Sequence, residues 1–175
     1  DLKVKEFYNH LNYVSNIVVT FVFKREELHI NREIGEIIFP SDASKYVTKL
    51  EYVSNKWIDI KMSGIQIVRA FVNRQDAVEI LTNKTDEEIR DLLIEEMREV
   101  HGFVGNIERY YVSRINNNYR FCDNYYNDNI NEFNEYIKEK YPNLYIIGNS
   151  KKATNIENTI LEAKETAKEI LESIK

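Results

Sequence analysis

The chain has 175 residues, of which 24 are Lys or Arg and 29 are Asp or Glu, so its formal net charge is −5. A nucleic-acid module normally carries a basic face, and this charge balance therefore excludes nucleic acid as the expected partner. The single cysteine excludes an internal disulfide framework, and the three scattered histidines indicate no metal cluster. The longest strongly apolar run, residues 17–23, is far too short to cross a bilayer.

The first half of the chain is predicted to be mostly sheet. A short helix over residues 2–11 leads into a strand at Val14–Phe23, which is rich in β-branched and aromatic residues and loses its alternation after Ile17. That pattern is typical of a central strand buried on both faces. Further strands are predicted at residues 33–39, 47–53 and 65–72. Four strands with short connections favour an antiparallel or mixed sheet.

The second half changes to a helical period. Thr85 and Glu88 form a capping-box pattern, and the apolar stripe that follows them ends at Gly102, which predicts a helix between these residues. A strand is then predicted at 106–115, followed by a polar loop at 116–128 and a helix that starts near Ile130 and ends before Pro142. After it come a short buried strand at 144–147, a turn at 148–153 and a last helix capped by Thr154 and Glu157.

These elements predict an α+β fold, with a mixed or antiparallel sheet, helices mainly on one face, and a terminal strand-turn-helix. We expect two domains, an α+β domain at residues 1–142 and the strand-turn-helix at residues 143–175. The chain begins at Asp1 without a methionine, which indicates a piece of a longer protein.

The terminal strand-turn-helix is the segment best suited to hold a ligand. A helix that starts behind the tight turn at Gly148 directs unpaired N–H groups and the positive end of its dipole toward an anion or an electron-rich carbonyl. In the alternative interpretation, Gly148 only turns the chain, and Thr154 and Glu157 satisfy the helix start by themselves. The residues alone leave both interpretations open.

Five stretches of sequence together resemble a known family. They are YVSNKW at 52–57, IQIVRAFVNRQDAVEI at 65–80, TDEEIRDLLIEEMREVHGFVGNIERYYVSRI at 85–115, the helix at 134–141 and the ending NLYIIGNSKKATNIENTILEAKETAKEIL. Residues 52–175 resemble the C-terminal half of the flavin amine oxidase superfamily, most closely the protoporphyrinogen oxidase group. The resemblance implies a flavoprotein oxidoreductase of porphyrin biosynthesis, in which hydride passes from a C–H or C–N centre to the flavin and O₂ or another acceptor reoxidises it.

The resemblance also implies which residues contact FAD. It places Gly148 and Asn149 near the ribityl or pyrophosphate region, and the backbone of Asn155, Ile156 and Glu157 near the N1 and C2 carbonyl edge of the flavin. A helix dipole and fixed N–H donors stabilise the negative charge that collects at N1 of a reduced flavin.

The substrate side is implied to lie at the loop after the strand that ends in Arg114, which makes Arg114 and Tyr119 the candidate substrate-binding residues. Arg69 lies in a strand, and its guanidinium suits a substrate carboxylate, but a sheet-edge position or a structural ion pair is the favoured interpretation. The carboxylates of Glu95, Glu96 and Glu99 are interpreted as a solvated helix face. No catalytic acid or base is assigned.

None of the five glycines forms the G-x-G-x-x-G turn that holds a dinucleotide. The resemblance therefore implies that FAD binds with an N-terminal portion outside this chain, and we expect the 175 residues alone to be inactive. That portion and a small-molecule substrate are the expected partners. A cytoplasmic location is expected, and peripheral membrane attachment and homo-oligomerisation stay open.

Two alternatives remain. One is a relative that uses the scaffold for another task, such as a desaturase or a sugar mutase. The other is a non-catalytic binding or interaction domain that has lost FAD, because the family's Gly-Asp is Gly148-Asn149 here and the loop at 150–154 contains no glycine.

Overall fold

A computed structural model gives the fold of residues 1–57, 64–103, 105–120, 123–148 and 155–173. The chain forms two compact units. The sheet unit is Val14–Asn118, and the terminal unit combines Asp1–Tyr13 with Tyr119–Lys175. Among these described residues, none of the helices has both the length and the apolar composition that a membrane span needs.

The sheet has five strands in the order β2-β3-β4-β1-β5. The pairings of β2 with β3, β3 with β4, and β4 with β1 are antiparallel. The bounds are β1 Tyr13–Lys24, β2 Glu36–Ile38, β3 Lys49–Tyr52, β4 Ile65–Val72 and β5 Ile107–Arg120. The predicted α+β fold with an antiparallel or mixed sheet is confirmed.

Six helices complete the described structure. They are α1 Leu2–Asn9, α2 Val53–Lys56, α3 Gln75–Thr82, α4 Asp86–His101, α5 Asn124–Lys140 and α6 Ile156–Ser173. Helices α2 and α3 were not predicted from the sequence, and β2 and β3 are shorter than the predicted strands. In α3 only Ala77, Val78 and Leu81 are buried, so the apolar stripe is too short to stand out as a helical period.

One face of the sheet forms the core of the sheet unit. In β1, Ile17, Val19, Phe21 and Phe23 are fully buried, whereas the alternate side chains are only half-buried. The core also contains residues of β4 from the same face and apolar residues of helices α3 and α4. These are Val68, Ala70, Val72, Ala77, Val78, Leu81, Ile89, Leu93, Ile94 and Met97. The interior position of β1 is confirmed, but its predicted burial on both faces is wrong, because this core covers only one face.

Helix α4 forms as its sequence predicts. The hydroxyl of Thr85 accepts the Glu88 N–H at 3.2 Å, and the Glu88 carboxylate accepts the Thr85 N–H at 2.8 Å. Gly102 ends the helix in the left-handed conformation, with φ at 62°. The reciprocal cap and the glycine stop are therefore both confirmed.

Strand β5 and helix α5 replace most of the predicted polar loop at 116–128. The strand continues to Arg120, and the Asn117 N–H donates to the Ser15 hydroxyl at 3.1 Å. Helix α5 begins directly after Asp123, whose carboxylate accepts the Tyr126 N–H at 2.9 Å. Residues 116–118 are exposed, so their polarity reflects contact with water and not a break in the strand.

Aromatic side chains form the core of the terminal unit. The rings of Phe7 in α1 and Phe133 in α5 stack at 3.9 Å between centroids, and Leu11, Tyr126 and Ile137 are buried around them. Residues 144–147 do not form the predicted strand. A strand needs a neighbouring strand to take its hydrogen bonds, and the described sheet provides none for this segment.

Candidate functional site

The turn before α6 requires a glycine for its backbone conformation. Gly148 has a φ of 100°, a backbone conformation that residues with a side chain rarely adopt. Its N–H donates to Oε2 of Glu162 in α6 at 3.2 Å. A Cβ atom placed at Gly148 would have no atom within 4 Å, so the conformation and not crowding explains the glycine.

The first turn of α6 is capped by Asn155. Its side-chain oxygen accepts the Asn158 N–H at 2.8 Å, and its carbonyl oxygen accepts the Thr159 N–H at 3.1 Å. This register makes Asn155 the N-cap and Asn158 the N3 residue, so the predicted capping box of Thr154 with Glu157 is wrong. The physical reason is that Asn caps at least as well as Thr. Thr154 itself lies outside the described residues.

Two N–H groups at the start of α6 have no acceptor within the helix. Helix geometry leaves the N–H groups of Ile156 and Glu157 without an intrahelical partner, since the Asn155 side chain takes the third. The Ile156 side chain is 80% exposed. An anion or a carbonyl oxygen would be stabilised here by these donors and by the helix dipole. Asn149, the other predicted contact, lies outside the described residues.

Exposed apolar side chains also occur along the closing segment of the terminal unit. Leu144, Ile147, Ile160 and Leu161 are each about half exposed. A surface cavity of about 430 Å³ lies between α5, residues 142–146 and Glu169, which is in the last turns of α6 and far from the helix start. The predicted closing segment therefore presents both polar donors and apolar surface.

Arg114 occupies a structural position. Its guanidinium pairs with the Asp86 carboxylate and donates to the Lys84 carbonyl oxygen at 2.8 Å, which ties β5 to the start of α4. A substrate carboxylate would have to compete with both contacts. The side chain of Tyr119 lies outside the described residues. The substrate-binding roles of Arg114 and Tyr119 stay predictions.

The second face of the sheet, which we call the open face, carries half-buried apolar side chains and the guanidinium of Arg69. Val18 and Val22 of β1 and Ile67 and Phe71 of β4 are half-buried, and their positions alternate with the core residues. Arg69 lies among them in β4, and its side chain is 46% exposed. The open face therefore combines apolar contact with positive charge.

The Arg69 guanidinium is held loosely by its neighbours. Its Nη1 lies 3.5 Å from Oε2 of Glu51, whereas Lys56 reaches the same carboxylate at 3.0 Å. A guanidinium has five donors, so most of them are left for a planar carboxylate. The predicted structural ion pair is confirmed, but the sheet-edge position is wrong because β4 is the middle strand.

The Glu96 carboxylate fixes a loop and is not part of a solvated face. Glu96 is 6% exposed and accepts hydrogen bonds from the N–H groups of Tyr46 and Val47 at 3.0 Å and from the Ser44 hydroxyl at 2.9 Å. From the other side, Arg74 donates to the Ser44 carbonyl oxygen at 2.9 Å. These contacts fix the loop at 41–47 through its main chain.

Helical spacing could have revealed the position of Glu96. It follows Leu93 by three residues and precedes the buried Met97, so it lies on the apolar side of α4. Glu95 and Glu99 are exposed, and the prediction of a solvated face is confirmed for these two.

Comparison with known proteins now identifies the family. A sequence model of the family described as "Flavin containing amine oxidoreductase" matches residues 2–171. The chain belongs to this family. The predicted resemblance to the flavin amine oxidase superfamily is confirmed, since the match covers almost the whole chain.

The relatives of this family member agree with the narrower resemblance. Coproporphyrinogen III oxidase of Staphylococcus aureus is 19% identical over 166 residues, which are 95% of this chain and 35% of that protein. The crystal structure of a putative protoporphyrinogen oxidase from Exiguobacterium sp. 255-15 superimposes with a TM-score of 0.75 at 18% identity, over 93% of this chain and 35% of that one.

A second similar structure is that of a reduced UDP-galactopyranose mutase. It has a TM-score of 0.60 at 12% identity and covers 77% of this chain and 28% of the mutase. The family member therefore spans about a third of the length of each of these proteins.

Proposed function

We propose that this chain is the C-terminal part of an FAD-dependent oxidoreductase of the protoporphyrinogen oxidase type. The observation that carries the proposal is the start of α6 behind the Gly148 turn. There the N–H groups of Ile156 and Glu157 have no intrahelical acceptor, and the first side chain is exposed. The family match over residues 2–171 supports the assignment.

The residues at this position fit the electron-rich edge of a flavin. Backbone N–H groups of Asn155, Ile156 and Glu157 would hold that edge, and Gly148 and Asn149 would lie near the ribityl or pyrophosphate region. The empty space around the Cα of Gly148 leaves room for close approach. A flavin held here would supply the hydride acceptor for a C–H or C–N centre of the substrate, with O₂ or another compound as the final electron acceptor.

The residues of this chain would donate hydrogen bonds to the flavin and hold those donors in a fixed orientation. The donors at the start of α6 are fixed by the Asn155 cap, so they need no reorganisation when charge develops opposite them. The Gly148 N–H is already bonded to Glu162, which holds the turn against the first half of α6. We assign no proton transfer to any side chain of this segment.

The open face of the sheet is the proposed binding surface for the substrate. A porphyrinogen is a puckered macrocycle of four pyrroles that combines apolar surface with carboxylate groups, and one relative is a coproporphyrinogen III oxidase. Apolar contact with Val18, Val22 and Phe71, together with an ion pair to Arg69, suits such a molecule. Arg114 and Tyr119 remain the candidates at the far end of β5.

The proposal is tested by removing one N–H group from the start of α6 in the full-length protein that contains this chain. Ile156→Pro deletes the first helical N–H, and proline is tolerated at this position because its φ suits the helix. Ile156→Ala removes the same side chain and keeps the N–H. We expect purified protein to contain FAD, Ile156→Pro to bind FAD more weakly and lower the flavin potential, and Ile156→Ala to change neither. Equal behaviour of the two variants, or a preparation without flavin, would contradict the proposal.

The mutase neighbour supports one alternative, a flavin enzyme that rearranges a sugar nucleotide without net oxidation. Oxygen consumption with a porphyrinogen supports the oxidase, whereas isomerisation of a sugar nucleotide without oxygen consumption supports the mutase. A flavin-free protein would instead favour a non-catalytic binding domain.

A further inference from the structure

A row of polar side chains crosses the open face of the sheet. Directly paired residues of neighbouring strands point to the same face. The pairings of Glu36 with Glu51 and of Glu51 with Arg69 therefore place these three side chains in one row. Strand β1 continues the row with Thr20, which pairs with Arg69. Arg69 thus lies between a carboxylate and a hydroxyl group.

Glu51 is the shared member of this row. Its side chain is only 10% exposed, so water screens its carboxylate poorly. The Lys56 Nζ lies 3.0 Å from its Oε1, and the Arg69 Nη1 lies 3.5 Å from its Oε2. A carboxylate in such a place needs a counterion, and here two cations compete for it.

Lys56 is the cation that the fold holds in place. It ends helix α2, and this helix is bonded to β4 through Ser54, whose Oγ accepts the Ile67 N–H at 3.1 Å. Lys56 also reaches the Glu36 carboxylate at 2.7 Å, and this hydrogen bond lowers the pKa of Glu36. The ammonium group therefore bridges the two carboxylates of the row, Glu36 and Glu51.

Arg69 is the cation that the row can release. Its side chain is 46% exposed, and its contact with Glu51 is the longer of the two. Among the residues that the structure describes, no other carboxylate lies within ion-pair distance of Arg69. When a ligand carboxylate takes the guanidinium, Glu51 keeps Lys56, so no poorly hydrated charge is left unpaired.

We propose that Lys56 is a positioning residue for substrate binding, because it keeps Glu51 neutralised and so allows Arg69 to bind a carboxylate of the substrate. The inference rests on the proposed function, which makes the open face the substrate surface. Lys56 itself acts only through Glu51. Without Lys56, Glu51 would hold Arg69 more tightly, and the ligand carboxylate would have to compete with it. Removing the charge of Glu51 should reverse that loss.

The first test measures binding to the full-length protein that contains this chain. The probe is coproporphyrin III, the oxidised form of the compound in the name of one relative, and its fluorescence reports the binding. Arg69→Met should weaken binding about tenfold or more, because a hydrogen bond between charged groups is lost. Lys56→Met should weaken it about threefold, and Lys56→Arg should restore it.

Lys24→Met is the matched control for the loss of one positive charge. Lys24 forms ion pairs with two carboxylates, those of Glu27 and Glu108. It lies on the same face of β1 as Thr20, four residues further along, which is about 13 Å. We expect coproporphyrin binding to be unchanged in this variant.

Two double variants separate competition for Arg69 from a general loss of positive potential. In the Lys56→Met background, Glu51→Gln should restore binding, because no carboxylate then competes for the guanidinium. In the Arg69→Met background, Lys56→Met should cause no further loss.

The second test needs no substrate. Hydroxyphenylglyoxal modifies accessible guanidinium groups, and peptide mass spectrometry measures the labelling of Arg69 relative to the other arginines of the same sample. Lys56→Met should slow the labelling of Arg69, whereas Glu51→Gln should accelerate it. Equal rates in these variants would overturn the inference.

The proposed function and this inference fail in different ways. Flavin content, measured in the same preparations, reports the proposed cofactor independently. Coproporphyrin binding that Arg69→Met leaves unchanged, or an Arg69 that is not labelled in the parent protein, would overturn both the substrate surface and the inference. If Arg69→Met weakens binding but Lys56→Met does not, or if Lys56→Met acts equally without Arg69, the substrate surface stands and the role of Lys56 is overturned.

Discussion

Helices α4 and α6 look alike in sequence and differ in the structure. Each begins with a capping side chain and carries a single apolar stripe. In α4 the stripe is buried, with Ile89, Leu93 and Met97 fully covered, whereas α6 has no buried residue among those described. The pattern of a helix thus defines which face is apolar, and the surrounding chain decides whether that face is covered. The proposed FAD-binding portion of the parent protein would be the natural cover for α6.

The largest expected effect comes from shortening one apolar residue in each helix. Leu93→Ala leaves a cavity in a fully buried site and should lower the free energy of unfolding by about 2–5 kcal/mol. Leu161→Ala in α6 changes a side chain that is half exposed and should stay within about 0.5 kcal/mol of the parent. Urea denaturation measures both. Similar losses in the two variants would show that α6 is covered in solution.

A smaller effect is expected from neutralising one carboxylate in each helix. Glu96→Gln keeps the shape of the side chain but replaces one acceptor oxygen by a donor, which leaves loop N–H groups unpaired. We expect a loss of about 1–3 kcal/mol of unfolding free energy. Glu165→Gln on the exposed surface of α6 is the matched control and should be close to neutral. If Glu96→Gln also proves neutral, the carboxylate does not hold the loop.

The smallest effect is a pH dependence that belongs to the end of α4. His101 stacks on Phe39 at 3.7 Å, and burial lowers the pKa of its imidazole below the ordinary value of 6.5, although the Glu96 carboxylate acts in the opposite direction. The unfolded chain therefore takes up the proton first, so stability is complete above pH 6.5 and falls as the pH drops below it. In His101→Gln the decline between about pH 7 and pH 5 should be shallower. Thermal denaturation at a series of pH values measures this slope, and an unchanged slope would assign the decline to other groups.

Much of the fold follows from local pattern. Strand β4 was predicted with its observed ends at Ile65 and Val72, because a glycine precedes it and six of its eight residues are apolar. The extension of β5 over residues 116–120 could not be predicted, because it depends on the neighbouring strand β1, whereas the sequence shows only that the segment is polar. The segment at 144–147 has the composition of a strand, but the described sheet offers it no partner.

The candidate site was predicted in outline. The turn at Gly148 and the exposed start of α6 follow from a glycine and a capping residue close together. The choice between Thr154 and Asn155 as cap depends on one residue of register, which composition does not determine. The position of Arg69 on the open face depends on which face of the sheet is covered by α3 and α4. That choice is a property of the tertiary structure.

The hydrogen bonds from Arg74 and Glu96 to the loop at 41–47 have an evolutionary consequence. Apart from the Ser44 hydroxyl, the contacts join these two side chains to peptide groups, which every residue type provides except that proline lacks the N–H. The side chains at positions such as Asp42 and Lys45 can therefore diverge between relatives while the path of the backbone is retained. Selection would then act on Arg74 and Glu96, which are distant from the loop in sequence, while the side chains of the loop itself would vary freely.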